Sequence, residues 1–271
     1  MKVSKMFTVA VALALYAIPL MGQDNAINSR QCSLATLNGS YSFFGEAPAT
    51  LVVEPGQVMG FVVSGIIRFD GHGNLSGESI DNLAGLGGTG AVKFDGTYTV
   101  NPDCTYLGIH TDELGQTLHF AGTITGSGML QEMRFVVTDE GWVALGTDKK
   151  IPSGGCSLST LRGSYALFGQ GSVFPDGISP VPIAHVGTVT YDGAGNFFGS
   201  DTIMLNGIMT PDTFTGKYTL TEECMVSIEI TSTAVGVIHE AGWIVGEGKS
   251  QEVRLIGTDP GFMFVEATRK Q

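Results

Sequence analysis

Short apolar and β-branched runs, each closed by a turn rich in Gly, Asp or Asn, recur along almost the whole chain. Residues 40–44, 60–69, 74–81, 92–100, 105–111, 118–125, 130–137 and 142–146 carry the alternation and length of strands, and turn residues separate them. Asp70-Gly71-His72-Gly73-Asn74 reads as a hairpin turn, as do Asp95-Gly96 and Glu140-Gly141: Gly supplies positive φ, and Asp and Asn satisfy nearby backbone groups. No amphipathic helix of three turns is present; residues 33–37 have the composition of one short turn.

The pattern is written twice. Cys32-Ser33-Leu34-Ala35-Thr36-Leu37-Asn38-Gly39-Ser40-Tyr41 returns as Cys156-Ser157-Leu158-Ser159-Thr160-Leu161-Arg162-Gly163-Ser164-Tyr165, at an offset of 124 residues. Phe69-Asp70-Gly71 matches Tyr191-Asp192-Gly193 at 122, and Gly96-Thr97-Tyr98 matches Gly216-Lys217-Tyr218 at 120. Cys104 matches Cys224, His119 matches His239, and Glu132-Met133-Arg134 matches Glu252-Val253-Arg254. A fixed long period of this kind is the mark of tandem duplication. The organisation predicted is module A over 32–149, a linker over 150–155 and module B over 156–271. About eight antiparallel strands per module admit a sandwich or an up-and-down barrel. Consecutive hairpins favour the barrel, because closure removes exposed edges. The fold class expected is therefore all-β, with two tandem antiparallel β-barrel domains of about eight strands each.

Composition fits that reading. Of 271 residues, 15% are charged and 39 are Gly, about twice the usual glycine share, as a turn-rich exported protein would have. Lys2 and Lys5 precede an apolar run over 7–21, the pattern of a secretory signal peptide over 1–22, with a polar lead-in over 23–31. The run is shorter than the roughly 20 residues a membrane span needs. Export, to the periplasm or outside the cell, is the localisation expected, with no membrane insertion after signal removal. Taking Lys2 and Lys5 from the 14 basic residues leaves 12 against 26 acidic, a charge of −14. Nucleic acid is excluded as a partner on that balance.

A module with a Gly-x-Tyr strand near its start and consecutive hairpins resembles the small barrels of the calycin and allene-oxide-cyclase-like class. The Cys-x-x-x-x-Leu-x-Gly-x-Tyr opening, followed by Phe-Asp-Gly-x-Gly-Asn, is also similar to secreted bacterial proteins of uncharacterised activity. The resemblance implies a barrel, with no residue carried over by role.

Two cysteines per module in an exported chain favour the disulfides Cys32–Cys104 and Cys156–Cys224 over the other two pairings. No Cys-x-x-Cys or clustered ligand set points to a metal, and no cofactor is expected. His119 and His239 occupy equivalent strand positions, either facing a ligand inside the barrel or satisfied at a rim. Glu132 with Arg134, and Glu252 with Arg254, are two apart on a strand and so share a face. Outward, they are solvated ion pairs; inward, they form a polar cavity floor. A His-Glu-Arg set inside a barrel would support proton transfer. Tyr41, Tyr98, Tyr165 and Tyr218 read as core or barrel-bottom plugs. Trp243, opposite Thr123 in module A, is a candidate ligand contact peculiar to module B. Gly85-Leu86-Gly87-Gly88-Thr89-Gly90 reads as a flexible loop at a barrel mouth.

The function expected is non-catalytic binding of a small apolar or amphiphilic ligand in a barrel cavity. One alternative is an isomerase or cyclase of the allene-oxide-cyclase-like type, working through His119 and Glu132 or His239 and Glu252. The other is a structural or surface-interaction protein with filled barrels.

Overall fold

The computed structural model describes residues 31–45, 49–54 and 57–271. The expected signal segment over 1–22 and the lead-in expected up to residue 31, all but its last residue, lie outside the described residues. Two closed antiparallel barrels of eight strands each follow one another along the chain.

Module A contains β1 (Asn38–Gly45), β2 (Ala49–Glu54), β3 (Gln57–Asp70), β4 (Asn74–Leu83), β5 (Val92–Val100), β6 (Thr105–Asp112), β7 (Thr117–Thr125), β8 (Glu132–Val137), β9 (Trp142–Val143) and β10 (Leu145–Lys150). Each strand from β3 to β8 pairs with the next, β8 pairs with β10, and β1 closes the ring between β10 and β3. β2 and β9 continue β1 and β10 upward: Leu51 lies opposite both Met59 of β3 and Trp142 of β9. Module B is a ring of β11 (Arg162–Val173), β12 (Val181–Asp192), β13 (Asn196–Leu205), β14 (Ile208–Leu220), β15 (Met225–Ser232), β16 (Gly236–Val245), β17 (Glu252–Gly257) and β18 (Phe262–Lys270). Its unbroken first and last strands are the counterparts of the interrupted β1–β2 and β9–β10.

The interruption explains one step in the repeat offset. From Phe44, opposite Ser64, to Ala49, opposite Phe61, module A spends five residues against three; module B spends three against three between Phe168 and Gly171. The second step lies at the next hairpin. β13 turns into β14 through Asn206 and Gly207, both at positive φ, whereas β4 leads into the longer Gly-rich loop. Two added residues in each place take the offset from 124 to 120.

The repeated opening motif closes the barrel floor. Thr36 Oγ1 accepts Ser33 N–H at 2.9 Å and holds a single 3-10 turn, and Thr160 does the same for Ser157. Leu37, Tyr41, Leu161 and Tyr165 are fully buried. The Tyr98 hydroxyl shares its proton between Leu37 O at 2.9 Å and Leu34 O at 3.1 Å, and Tyr218 repeats this with Leu161 and Leu158. Tyr41 donates to Gln131 and Tyr165 to Gln251. Disulfides join Cys32 to Cys104 and Cys156 to Cys224, tying each floor turn to the start of its sixth or fifteenth strand. The Asp70 turn is a hairpin: its carboxylate accepts His72 N–H and Asn74 N–H at 2.7 and 3.0 Å.

The barrels pack side by side. Outward residues of β1, β3 and β4 (Phe44, Val62, Ile66, Ile80) meet outward residues of β16, β17 and β18, among them Trp243, Ile256, Met263 and Val265. Three earlier expectations are corrected here. Trp243 is 1% exposed within this seam, on the outside of barrel B, so it lines no lumen. Glu252 and Arg254 face outward as well, yet they are buried, because module A covers them. Arg254 donates to Thr147 O at 3.1 Å, and Lys149 reaches Glu252 at 2.8 Å. The Gly85–Gly90 stretch is no free loop: Gly88 N–H donates to Thr258 O and Gly261 N–H to Gly85 O, each at 2.7 Å. The Asn82 amide adds bonds to Gly257 O and Phe262 O, so the hairpin of one barrel clasps the last turn of the other.

Candidate functional site

The two lumens differ far more than the two floors. Module A encloses a cavity of about 370 Å³, module B one of about 50 Å³. The cause is visible in matched positions. Gly108, Ala144 and Gly146 of module A stand where module B has Ile228, Phe264 and Glu266. All three larger side chains point into barrel B and fill it.

The wall of cavity A is panelled with rings. Phe43 lies against Gly65, Phe94 against Gly77, Phe120 against Gly108 and Tyr106 against Gly122. At each of these glycines a Cβ would fall within 2.5 Å of a ring atom, so only glycine admits the ring against the wall. Rings lying on the wall leave the axis open. Phe61 and Trp142 meet edge to face at 5.2 Å near the upper rim, where Leu51, Leu114 and Gln116 also border the opening. The floor tyrosines shut the opposite end.

Few polar groups enter this space. Asp81 and Asp112 come from the upper ends of β4 and β6, His110 from mid-barrel, and Asp148 from β10 with the Tyr106 hydroxyl 3.4 Å away. Burial pushes the Asp81 carboxyl up to about 6, against a hydrogen bond from Ser79. Burial likewise raises Asp148 to about 7, against the attraction of Arg254. His110 stacks on Phe94 with ring centres 4.6 Å apart, its Nδ1 has no hydrogen-bond partner, and burial holds its pKa below the ordinary histidine value.

Lumen B carries a separate acid–histidine cluster. His185 Nδ1 lies 3.0 Å from Asp201 and its Nε2 3.6 Å from Glu266. Burial opposes protonation of the ring, but the Asp201 hydrogen bond and the Glu266 and Asp201 charges together hold its pKa above the usual value. Glu240 is 2% exposed with both carboxyl oxygens unpartnered; burial pushes it up to about 8. Asp212 stoppers the top of the barrel, accepting from Ser232 and Thr233 hydroxyls and Ala234 N–H. Among the described residues no group of three or more His, Cys, Asp or Glu side chains has a geometry for holding a metal ion.

The duplicated histidines lie outside both lumens. His119 and His239 alternate with the inward Phe120 and Ile238, their side chains are about half exposed, and the Nδ1 of each pairs with the following turn's Asp139 or Asp259. His119 sits at the far end of β8 from Glu132, its carbonyl bonded to Thr138 N–H. Glu132 and Arg134 form an outward pair at 3.0 Å. The alternative of a His-Glu-Arg set inside a barrel is therefore not assembled: strand alternation sends all of these side chains outward. His110, His185, Asp81, Asp148, Glu240 and Glu266 were not singled out by sequence, because none is matched by its own type in the other copy. Phe-x-Gly and Tyr-x-Gly alternation, as in Phe94-Asp95-Gly96, Tyr106-Leu107-Gly108 and Phe120-Ala121-Gly122, was the signal available for the lining.

No protein-family model matches the chain, and comparison with curated proteins finds no match.

Proposed function

We propose that this is an exported binding protein that takes one small apolar or amphiphilic molecule into barrel A, with barrel B as a filled, load-sharing partner. The observation that supports the reading most is the contrast in volume, about 370 against 50 Å³, between two barrels with the same floor. The larger value falls within the roughly 300–1,000 Å³ typical of ligand pockets, and its lining is aromatic with a few placed polar groups. Two disulfides fit an oxidising compartment, in keeping with export. The barrel architecture is consistent with a calycin-like binding fold. The isomerase reading loses its proposed groups, since His119, His239, Glu132 and Glu252 face away from both lumens.

Module B supplies the test. Ala144→Phe places in barrel A the ring that Phe264 places in barrel B, and Ala144→Leu is a milder filling. A neutral, polarity-sensitive naphthyl dye should bind the parent saturably at one site and quench Trp142. Ala144→Phe should weaken binding at least tenfold and Ala144→Leu by less, both with an unchanged circular dichroism spectrum. Dye binding that is absent from the parent, or indifferent to both substitutions, would overturn the assignment.

A further inference from the structure

The lumen of barrel A is richer in acids than in bases. Among the described residues its lining holds Asp81, Asp112 and Asp148 but no Lys or Arg. The one basic ring, His110, is kept neutral by burial. A fatty acid or other organic anion would therefore bring a fourth carboxylate into a space with no cation to meet it, at a desolvation cost nothing offsets. A cation finds the opposite. Asp81 and Asp112 both line the cavity from the upper ends of β4 and β6, two strands apart on the wall, and they stand just below the rim. Phe61, Trp142 and Phe94 line the same cavity, and aromatic rings attract cations within about 6 Å of their faces. The chain's overall negative charge draws the same class of molecule toward the mouth.

Building on the assignment of barrel A as the binding site, we infer that its ligand is a small amphiphilic amine: an apolar or aromatic body in the lower lumen, with an ammonium group held at the rim by Asp81 and Asp112. Asp148, with Tyr106 beside it, offers a second polar contact deep in the barrel for a hydroxyl or amide on the body of the ligand. An acid-bearing mouth with no Lys or Arg in its lining is the feature that calls for this occupant: burial disfavours the charged Asp81 carboxylate, and an ammonium beside it offsets that cost.

The test uses three dyes with the same naphthyl body, carrying a primary ammonium, a carboxylate or a neutral hydroxymethyl group. Binding is followed by dye fluorescence at about 0.15 M salt, where surface charge is screened beyond about 8 Å. The ammonium dye should bind at least tenfold tighter than the neutral one, and the carboxylate dye should be weakest. Asp81→Asn and Asp112→Asn should each cost the ammonium dye about tenfold and leave the neutral dye within twofold. Glu229→Gln, which removes the same charge from the exposed outer wall of barrel B, should change neither. Equal binding of the neutral and ammonium dyes, or tightest binding of the carboxylate, overturns the ligand class while leaving the cavity assignment standing. Ammonium binding that survives Ala144→Phe places the cation on the outer surface and overturns the inference. Failure of all three dyes overturns the binding function itself.

Discussion

At the scale of single residues, the two copies differ most where their side chains point inward. Glu240 stands in barrel B where Phe120 stands in barrel A, and its unpartnered oxygens carry a cost. Its pKa of about 8, against an ordinary 4.5, means the folded state keeps the proton that the unfolded chain gives up. Stability from this group is therefore full below about pH 4.5 and is lost as pH climbs toward 8. Glu240→Gln should raise the melting temperature by several degrees at pH 8, leave it nearly unchanged at pH 4.5, and flatten the slope between; Glu266, also raised by burial, accounts for the slope that remains. An equal loss from pH 4.5 to 8 in parent and variant would remove Glu240 as the cause. The same scale shows what the sequence made hard to see. Repetition drew attention to His119 and His239, but retained residues here mark shared scaffold: each histidine fastens its strand to the next turn through Asp139 or Asp259. The lumen residues are unrepeated, and a lone His110 or His185 carries no pattern along the chain.

At the scale of strands, alternation was legible wherever one face meets water, and the floor motif with its disulfide pairing could be read directly from the duplicated Cys, Leu and Tyr. β2 was not assigned, since it lacks a counterpart of its own in the repeat; it is the upper half of a first strand split by two extra residues. The outward burial of β16–β18 had a signal in the unbroken apolar runs Trp243-Ile244-Val245 and Met263-Phe264-Val265, the pattern of strands covered on both faces. The inter-barrel ion network sits on those strands. Burial would raise the Glu252 carboxyl, but Arg254, Lys149 and Arg269 outweigh it and hold it below the ordinary range. A depressed carboxylate contributes stability above the unfolded value of about 4.5, and that contribution is lost as pH falls through the lowered one. Glu252→Gln leaves Arg254 buried without its counter-charge, so denaturant unfolding at pH 7 should report a loss of up to about 3–5 kcal/mol. Much of that difference should vanish as pH falls through the lowered value and the parent carboxylate takes up its proton; a difference independent of pH would assign the loss to packing.

At the scale of the whole molecule, two bonds of similar span staple two barrels. Sequence separations of 72 and 68 correspond to roughly 4 kcal/mol each in the chain-entropy account. Replacing Cys156 and Cys224 together by Ser should lower the unfolding midpoint with little effect on dye binding, whereas the same change at Cys32 and Cys104 should weaken dye binding more, because module A holds the cavity. Parallel thermal melts and dye titrations of the two double variants check this ordering.

The clasp between the Gly85–Gly90 hairpin and the Thr258–Gly261 turn gives the duplication a direction. The hairpin that grips belongs to the first copy, and its counterpart in the second, turning tightly at Asn206 and Gly207, is two residues shorter and bonds Asn206 N–H to Pro182 O within its own barrel. The duplicates are thus no longer interchangeable in role: a chain of two module A copies would carry the long hairpin twice and a chain of two module B copies not at all, so ancestry by simple copying has ended in a division of labour.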